Sequence, residues 1–146
     1  MSHLDQHRFA MQLAQLSRGW RGELDRRLAD LGLSQARWLV LLHLARFEDL
    51  PTQRELAQSV GVEGPTLARL LDGLEAQGLV TRQSVAEDRR AKKVALRPEA
   101  RPLIERIEAI STQLRSELFA GIDDEELRRC QQVHARVLEN LGKLAR

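Results

Sequence analysis

Residues 64–96 read GPTLARLLDGLEAQGLVTRQSVAEDRRAKKVAL, and the spacing of apolar side chains changes inside this stretch. Up to Gly78 the period is helical. Leu67, Leu70, Leu71 and Leu74 stand at i, i+3, i+4 and i+7, Pro65 lies in the first turn where its missing N–H costs nothing, and Gly78 is placed to end the helix. After Gly78 the period drops to two. Residues 79–83 and 92–96 read as strands, with the charged tip Ala86-Glu87-Asp88-Arg89-Arg90 between them. Immediately upstream, Thr52 and Glu55 have capping-box spacing and open a short helix that buries Leu56, Ala57 and Val60 and stops at Gly61. Two helices joined by a tight glycine turn, then a basic hairpin, predict a winged helix-turn-helix.

Outward from this unit the chain reads as helix on both sides. Ser34 is a good N-cap for a second helix whose Trp38-Leu39-Val40-Leu41-Leu42 run has no polar face, which places it at the centre of the core. Before it, Phe9, Leu13, Leu16, Trp20, Leu24, Leu28 and Leu31 recur every three or four residues along one long helix, about Asp5 to Asp30, which Gly32 terminates. After the hairpin, one helix runs from roughly Pro98 to Phe119 with Leu103, Ile107, Ile110, Leu114 and Leu118 on a stripe. Another starts at Asp123, again with capping-box spacing to Glu126, and carries Leu127, Val137 or Leu138, Leu141 and Leu144. The expected fold is therefore mainly α with a small β-wing, as a single compact domain. Residues 34–97 form the winged helix-turn-helix, and residues 1–33 and 98–146 form a helical dimerisation region.

That last assignment follows from burial. The helix-turn-helix and hairpin can cover only part of the long stripes, and a second copy is the usual cover for surplus apolar surface. Phe9, Leu13, Leu118, Leu127, Cys130, His134 and Leu141 are the expected contacts of a two-fold homodimer. A monomer that folds its helices back on itself is the alternative.

The 146 residues are 42% hydrophobic and 30% charged, a globular balance. No apolar run approaches the roughly 20 residues of a membrane span, and Asp5 and Arg8 stand where a signal peptide needs its apolar core. The lone Cys130 excludes an intramolecular disulfide and every cysteine-pair metal site. A cytoplasmic protein without membrane association is expected. The net charge of +2 is unevenly spread: residues 82–101 hold seven basic groups against three acidic, whereas the other segments are near neutral or acidic. A basic excess confined to the wing suggests a focused anionic partner, with a plain solvated face as the other reading.

For such a fold the partner expected is double-stranded DNA. With the leucines turned inward, Gly64, Pro65, Thr66 and Arg69 face outward near the helix N-terminus, the end that meets base edges in a major groove. Gly64 and Pro65 allow close approach, Thr66 suits a phosphate or a thymine methyl, and Arg69 offers a bidentate fork to guanine. An ion pair from Arg69 to Asp72 or Glu75 is the competing role. Arg89 and Arg90 at the tip suit a narrow minor groove, Lys92 and Lys93 suit phosphates, and Asp88 suits an internal contact that shapes the tip. Thr52 and Arg82 complete the expected DNA-facing set.

The segments Leu74-Glu75-Ala76-Gln77-Gly78-Leu79-Val80-Thr81-Arg82 and Asp88-Arg89-Arg90-Ala91-Lys92-Lys93-Val94-Ala95-Leu96 resemble the MarR family of bacterial regulators. Glu63 to Arg69, Arg97 to Ile104 and the surroundings of Trp20 and Trp38 are similar to its SlyA-like branch. The resemblance covers nearly the whole chain. It implies a homodimeric winged-helix transcription factor on pseudo-palindromic operators, with DNA affinity that small aromatic carboxylates often weaken. By position it makes Arg69 the major-groove arginine, Arg89 the minor-groove arginine and Asp88 the anchor of the wing. Arg97 departs from the threonine that many members carry there, and the chain has no tyrosine. The family's effector cleft would here be lined by Arg18, Trp20, Trp38 and His43, with Arg18 the partner of a carboxylate. Both tryptophans and His43 fit a plain core better than a cleft.

No Walker loop, Gly-x-Gly-x-x-Gly, His-Glu-x-x-His or Ser/His/Asp set occurs, so catalysis is not expected, nor is a cofactor or a metal. His3 and His7 have i, i+4 spacing but no carboxylate neighbours. Two alternatives stay open: a winged helix that binds protein without specific DNA recognition, and a regulator whose Cys130 thiol, one turn from His134, senses oxidants.

Overall fold

The computed structural model describes residues 2–85 and 88–145, and the side chains of Val85, Asp88, Arg89 and Arg90 lie outside the description. Among the described residues, the α-helices and β-strands follow one another as α1 His3–Arg27, α2 Gln35–Ala45, α3 Gln53–Val60, α4 Gly64–Ala76, β1 Val80–Val85, β2 Asp88–Leu96, α5 Arg101–Leu118 and α6 Asp124–Leu144. This is a winged helix-turn-helix with a two-stranded antiparallel sheet. By contact density the chain divides into Met1–Thr112 and Gln113–Arg146.

The first unit holds the winged helix. Its core is α2, whose Trp38, Val40, Leu41, Leu42 and Leu44 are buried together with Leu56 of α3, Leu67, Leu71 and Leu74 of α4, and Val80 and Val94 of the sheet. Each such side chain stabilises the fold by roughly 1.5–3 kcal/mol relative to exposure. Leu70, expected inward with the other leucines, is only half-buried, because it lies at the edge of the stripe that Leu67, Leu71 and Leu74 define. Gly73 interrupts α4 at a position where alanine would be the better helix former. The Arg37 guanidinium occupies the space that a Cβ there would need, and donates to Gln77 at 3.0 Å.

Local signals set the helix ends. Ser34 caps α2 by accepting from the Arg37 N–H, and Thr52 with Glu55 forms a reciprocal capping box at α3. Gly61, at φ 85°, supplies the left-handed residue that ends α3. The first helix begins and stops earlier than its stripe suggests. Ser2 caps it, and after Arg27 the chain tightens into one 3₁₀ turn, Ala29–Leu31, before Gly32 at φ 71°.

Thr81 pairs with Ala95, Arg82 with Val94 and Ser84 with Lys92, but Val85 pairs with Asp88, so residues 89–91 fall between successive pairs. The expected five-residue tip is therefore shorter. Asp88, Arg89 and Arg90 already belong to β2, which bulges there. The base of the wing is tied to the entry of α3: the Val94 N–H donates to the Pro51 carbonyl at 2.9 Å, and Thr52 bridges Lys93.

The second unit comprises the end of α5 and all of α6. Asp123 and Glu126 form the capping box expected at the start of α6. Among the described residues, no helix is long and apolar enough to cross a membrane.

Candidate nucleic-acid interface

Three elements converge on one groove of about 850 Å³: the first turn of α3 through Thr52, Gln53 and Arg54, the start of α4 through Glu63 and Gly64, and the wing through Arg82, Ala91 and Lys92. The capping box places the first of these. Thr52 Oγ1 accepts from the Glu55 N–H, and Glu55 Oε1 accepts from the Thr52 N–H, each at 3.1 Å. Those bonds, with Lys93 nearby, hold the Glu55 carboxyl below its ordinary range, so the acid is turned to the backbone. The hairpin bonds at Pro51 and Thr52 place the last.

On α4, Arg69 is two residues beyond buried Leu67, about 200° round the helix, and is exposed. Among the described residues it has no carboxylate partner. Gly64 and Pro65 are exposed and Thr66 half-exposed beside it. Glu63 caps the helix by backbone alone, with no side-chain bond, leaving the first-turn N–H groups open to an anion.

Arg82, expected in the DNA-facing set, lines the groove but is held by two acids of α4. Two residues on from buried Val80, and opposite buried Val94, it falls on the inner face of the sheet. There its Nη2 donates to the carboxylates of both Asp72 and Glu75, the second at 3.0 Å, and its side chain is 16% exposed. Asp72 first and Glu75 second raise its pKa, and Arg82 in turn holds Glu75 below the usual carboxylate range. Arg82 thus lines the groove with its guanidinium already bound.

Lys92 and Lys93 are exposed. For Asp88, Arg89 and Arg90 only the backbone is described, so the expected tip contacts lie outside the described side chains. Arg54 was not anticipated from sequence. The capping box was the available signal, since it fixes Arg54 in the first turn of α3.

The four residues expected at an effector cleft divide. Trp38 is 1% exposed, a core residue whose Nε1 has no hydrogen-bond partner. Trp20 is half-exposed and Arg18 exposed. Half-buried His43 joins α2 to α3 through Nδ1 and Ser59 Oγ, 2.8 Å apart. Burial, then the charges of Arg46 and Arg21, lower its pKa. The sign follows directly. The unfolded chain takes up the proton first, so stability is full above the ordinary value near 6.5 and falls as pH drops below it. The melting temperature should fall between pH 7 and 5.5, and His43→Gln should flatten that slope; an unchanged slope in the variant would remove His43 as its source.

Cys130 and His134 are exposed on α6. No group of three or more His, Cys, Asp or Glu arranged for a metal occurs among the described residues.

With this geometry, the chain was compared with known proteins. The profile of the MarR family matches residues 31–91. The crystal structure of the transcriptional regulator PA3341 is 67% identical, covers 92% of this chain and 98% of its own, and superposes with a TM-score of 0.87. CouR from Rhodococcus jostii RHA1, solved with p-coumaroyl-CoA, is 25% identical over 88% of this chain and 90% of its own, at a TM-score of 0.78. MepR of S. aureus, solved with DNA, is 23% identical over 91% of this chain and 97% of its own, and at a TM-score of 0.82 shares the fold. Fold, profile and extended identity agree: the chain belongs to the MarR family of transcriptional regulators, which are not enzymes.

Proposed function

We propose that this chain is a SlyA-like regulator that binds double-stranded DNA as a homodimer, each copy setting one α4 into a major groove of a pseudo-palindromic operator. The observation that carries this reading is Arg69, exposed and, among the described residues, without a carboxylate partner at the outward face of α4, beside a groove rimmed by Arg54 and Lys92. Arg69 reads a base edge, Gly64 and Pro65 permit the approach, and Thr52, Thr66, Arg54, Lys92 and Lys93 meet phosphates. Arg89 and Arg90 enter the minor groove from the wing, shaped by Asp88. The protein works in the bacterial cytoplasm, on the nucleoid when bound.

A small aromatic or anionic ligand weakens this binding. Arg18, half-exposed Trp20 and His43 would receive it, Arg18 pairing with a carboxylate. The CouR complex with p-coumaroyl-CoA supports an aromatic acyl ligand for a relative.

Selection of duplexes from a randomised pool by the purified protein tests the reading. Two half-sites related by a dyad, their centres about 10 base pairs or a multiple apart, are expected. Equal affinity for selected and random duplexes would leave a non-specific or protein-binding module instead.

A further inference from the structure

Asp72 lies three residues after Arg69 on α4, close enough for an ion pair across one helical turn. Such a pair would turn Arg69 along the helix and away from any base edge. It is absent, and the Asp72 carboxylate is held instead, through Oδ1, by Arg82, ten residues on in sequence and delivered by β1. Glu75, on the same side of α4, holds the same Arg82 nitrogen at 3.0 Å. Asp72 is 64% exposed whereas Arg82 is largely covered, so the carboxylate is accessible to Arg69 and the competitor for it is fixed in place.

We propose that Arg82 is a positioning residue: by occupying Asp72 from the wing strand, it keeps Arg69 unpaired and available for the DNA. It touches no base and no phosphate. This rests on the DNA-reading role of Arg69. It also links the wing to specificity, since β1 must be packed on α4 for Arg69 to stay released.

The test is fluorescence anisotropy with a selected duplex and a random duplex, over a range of salt. Arg82→Met keeps the covered stem and removes the charge. It should weaken binding to the selected duplex about tenfold or more, the loss of one bidentate contact, and leave the random duplex and its salt slope unchanged. Adding Asp72→Asn to Arg82→Met should restore the affinity, because asparagine cannot hold Arg69 as a carboxylate does. A clamp that merely braced the hairpin would not be rescued this way. One Arg82 nitrogen serves both acids, so Arg82→Lys should stay within about threefold of the parent if its ammonium satisfies Asp72.

Three results overturn the proposal: Arg82→Met without effect; a loss that Asp72→Asn does not reverse; or a loss on both duplexes with the salt slope reduced by about one, the mark of a direct phosphate contact. If Arg82→Met fails to melt cooperatively, Arg82→Lys with and without Asp72→Asn decides, and a tenfold loss there that Asp72→Asn does not reverse overturns it. A parent protein that does not distinguish the two duplexes at all would instead defeat the DNA-reading role on which this rests.

Discussion

Arg69→Ala should lower affinity for a selected duplex by about ten- to a hundredfold, the 1–3 kcal/mol of a bidentate contact to a base edge, and lower it far less on random DNA. The asymmetry distinguishes base reading from charge. Arg69 carries one of 23 positive side chains. If it served only as a cation, its removal would weaken both duplexes alike and reduce the salt slope by about one. Its position argues for the stronger role. It lies opposite the buried stripe of α4, beside Gly64 and Pro65, whose small side chains let the helix enter a groove. Nor is the fold at risk: Arg69 is exposed and has no ion pair among the described residues, so the variant should melt within about 0.5 kcal/mol of the parent. Anisotropy on the two duplexes checks the outcome, and equal loss on both would contradict base reading. The same loss is the ceiling for Arg82→Met, because a residue that acts by releasing Arg69 cannot cost more than Arg69 itself.

The parts of this fold that are written locally were legible in the sequence. Ser34, the Thr52–Glu55 pair, Gly61 and the Asp123–Glu126 pair each act within four residues of their own helix end, so spacing alone reveals them. The switch of period at Gly78 revealed the wing for the same reason. Arg82 was legible only as charge. Its bond to Asp72 depends on which face of β1 it occupies, and that face is set by the pairing of Arg82 with Val94. Alternation from Val80 carried the clue, but a basic residue in a basic segment reads as solvent-facing until the partner strand is placed. Trp38 shows the reverse. An amphipathic ring in an apolar run favours a core without excluding a cleft, and only the burial of α2 between α3, α4 and β2 decides for the core. The early start of β2 left no periodic trace, because residues 89–91 sit in a bulge where alternation breaks.

Replacing Val137 and Leu141 of α6 by aspartate should yield a stable monomer of 16.6 kDa and abolish high-affinity operator binding. On α6, Leu141 is 54% and Leu144 80% exposed, and on α1 Leu16 is 65% exposed, with Phe9 and Leu13 also open. Exposed apolar surface on this scale is what an interface would cover. The residues 127, 130, 134, 137, 141 and 144 recur at steps of three and four, the spacing of a helix–helix seam, and Cys130 and His134 fall in line with the leucines. None of these α6 side chains is buried within the chain, so the substitutions should leave its own packing intact. Under the proposed dimer their cost on DNA should be large, since two linked half-sites would gain about 10²–10⁴ in avidity over one. Light scattering should give twice 16.6 kDa for the parent and the single mass for the variant. Each freed copy keeps its Arg69 and wing, so it should retain weak, salt-sensitive binding to a half-site. A parent that is already monomeric at micromolar concentration, yet binds the selected duplex fully, would remove the two-half-site arrangement and leave α6 to cover some other surface.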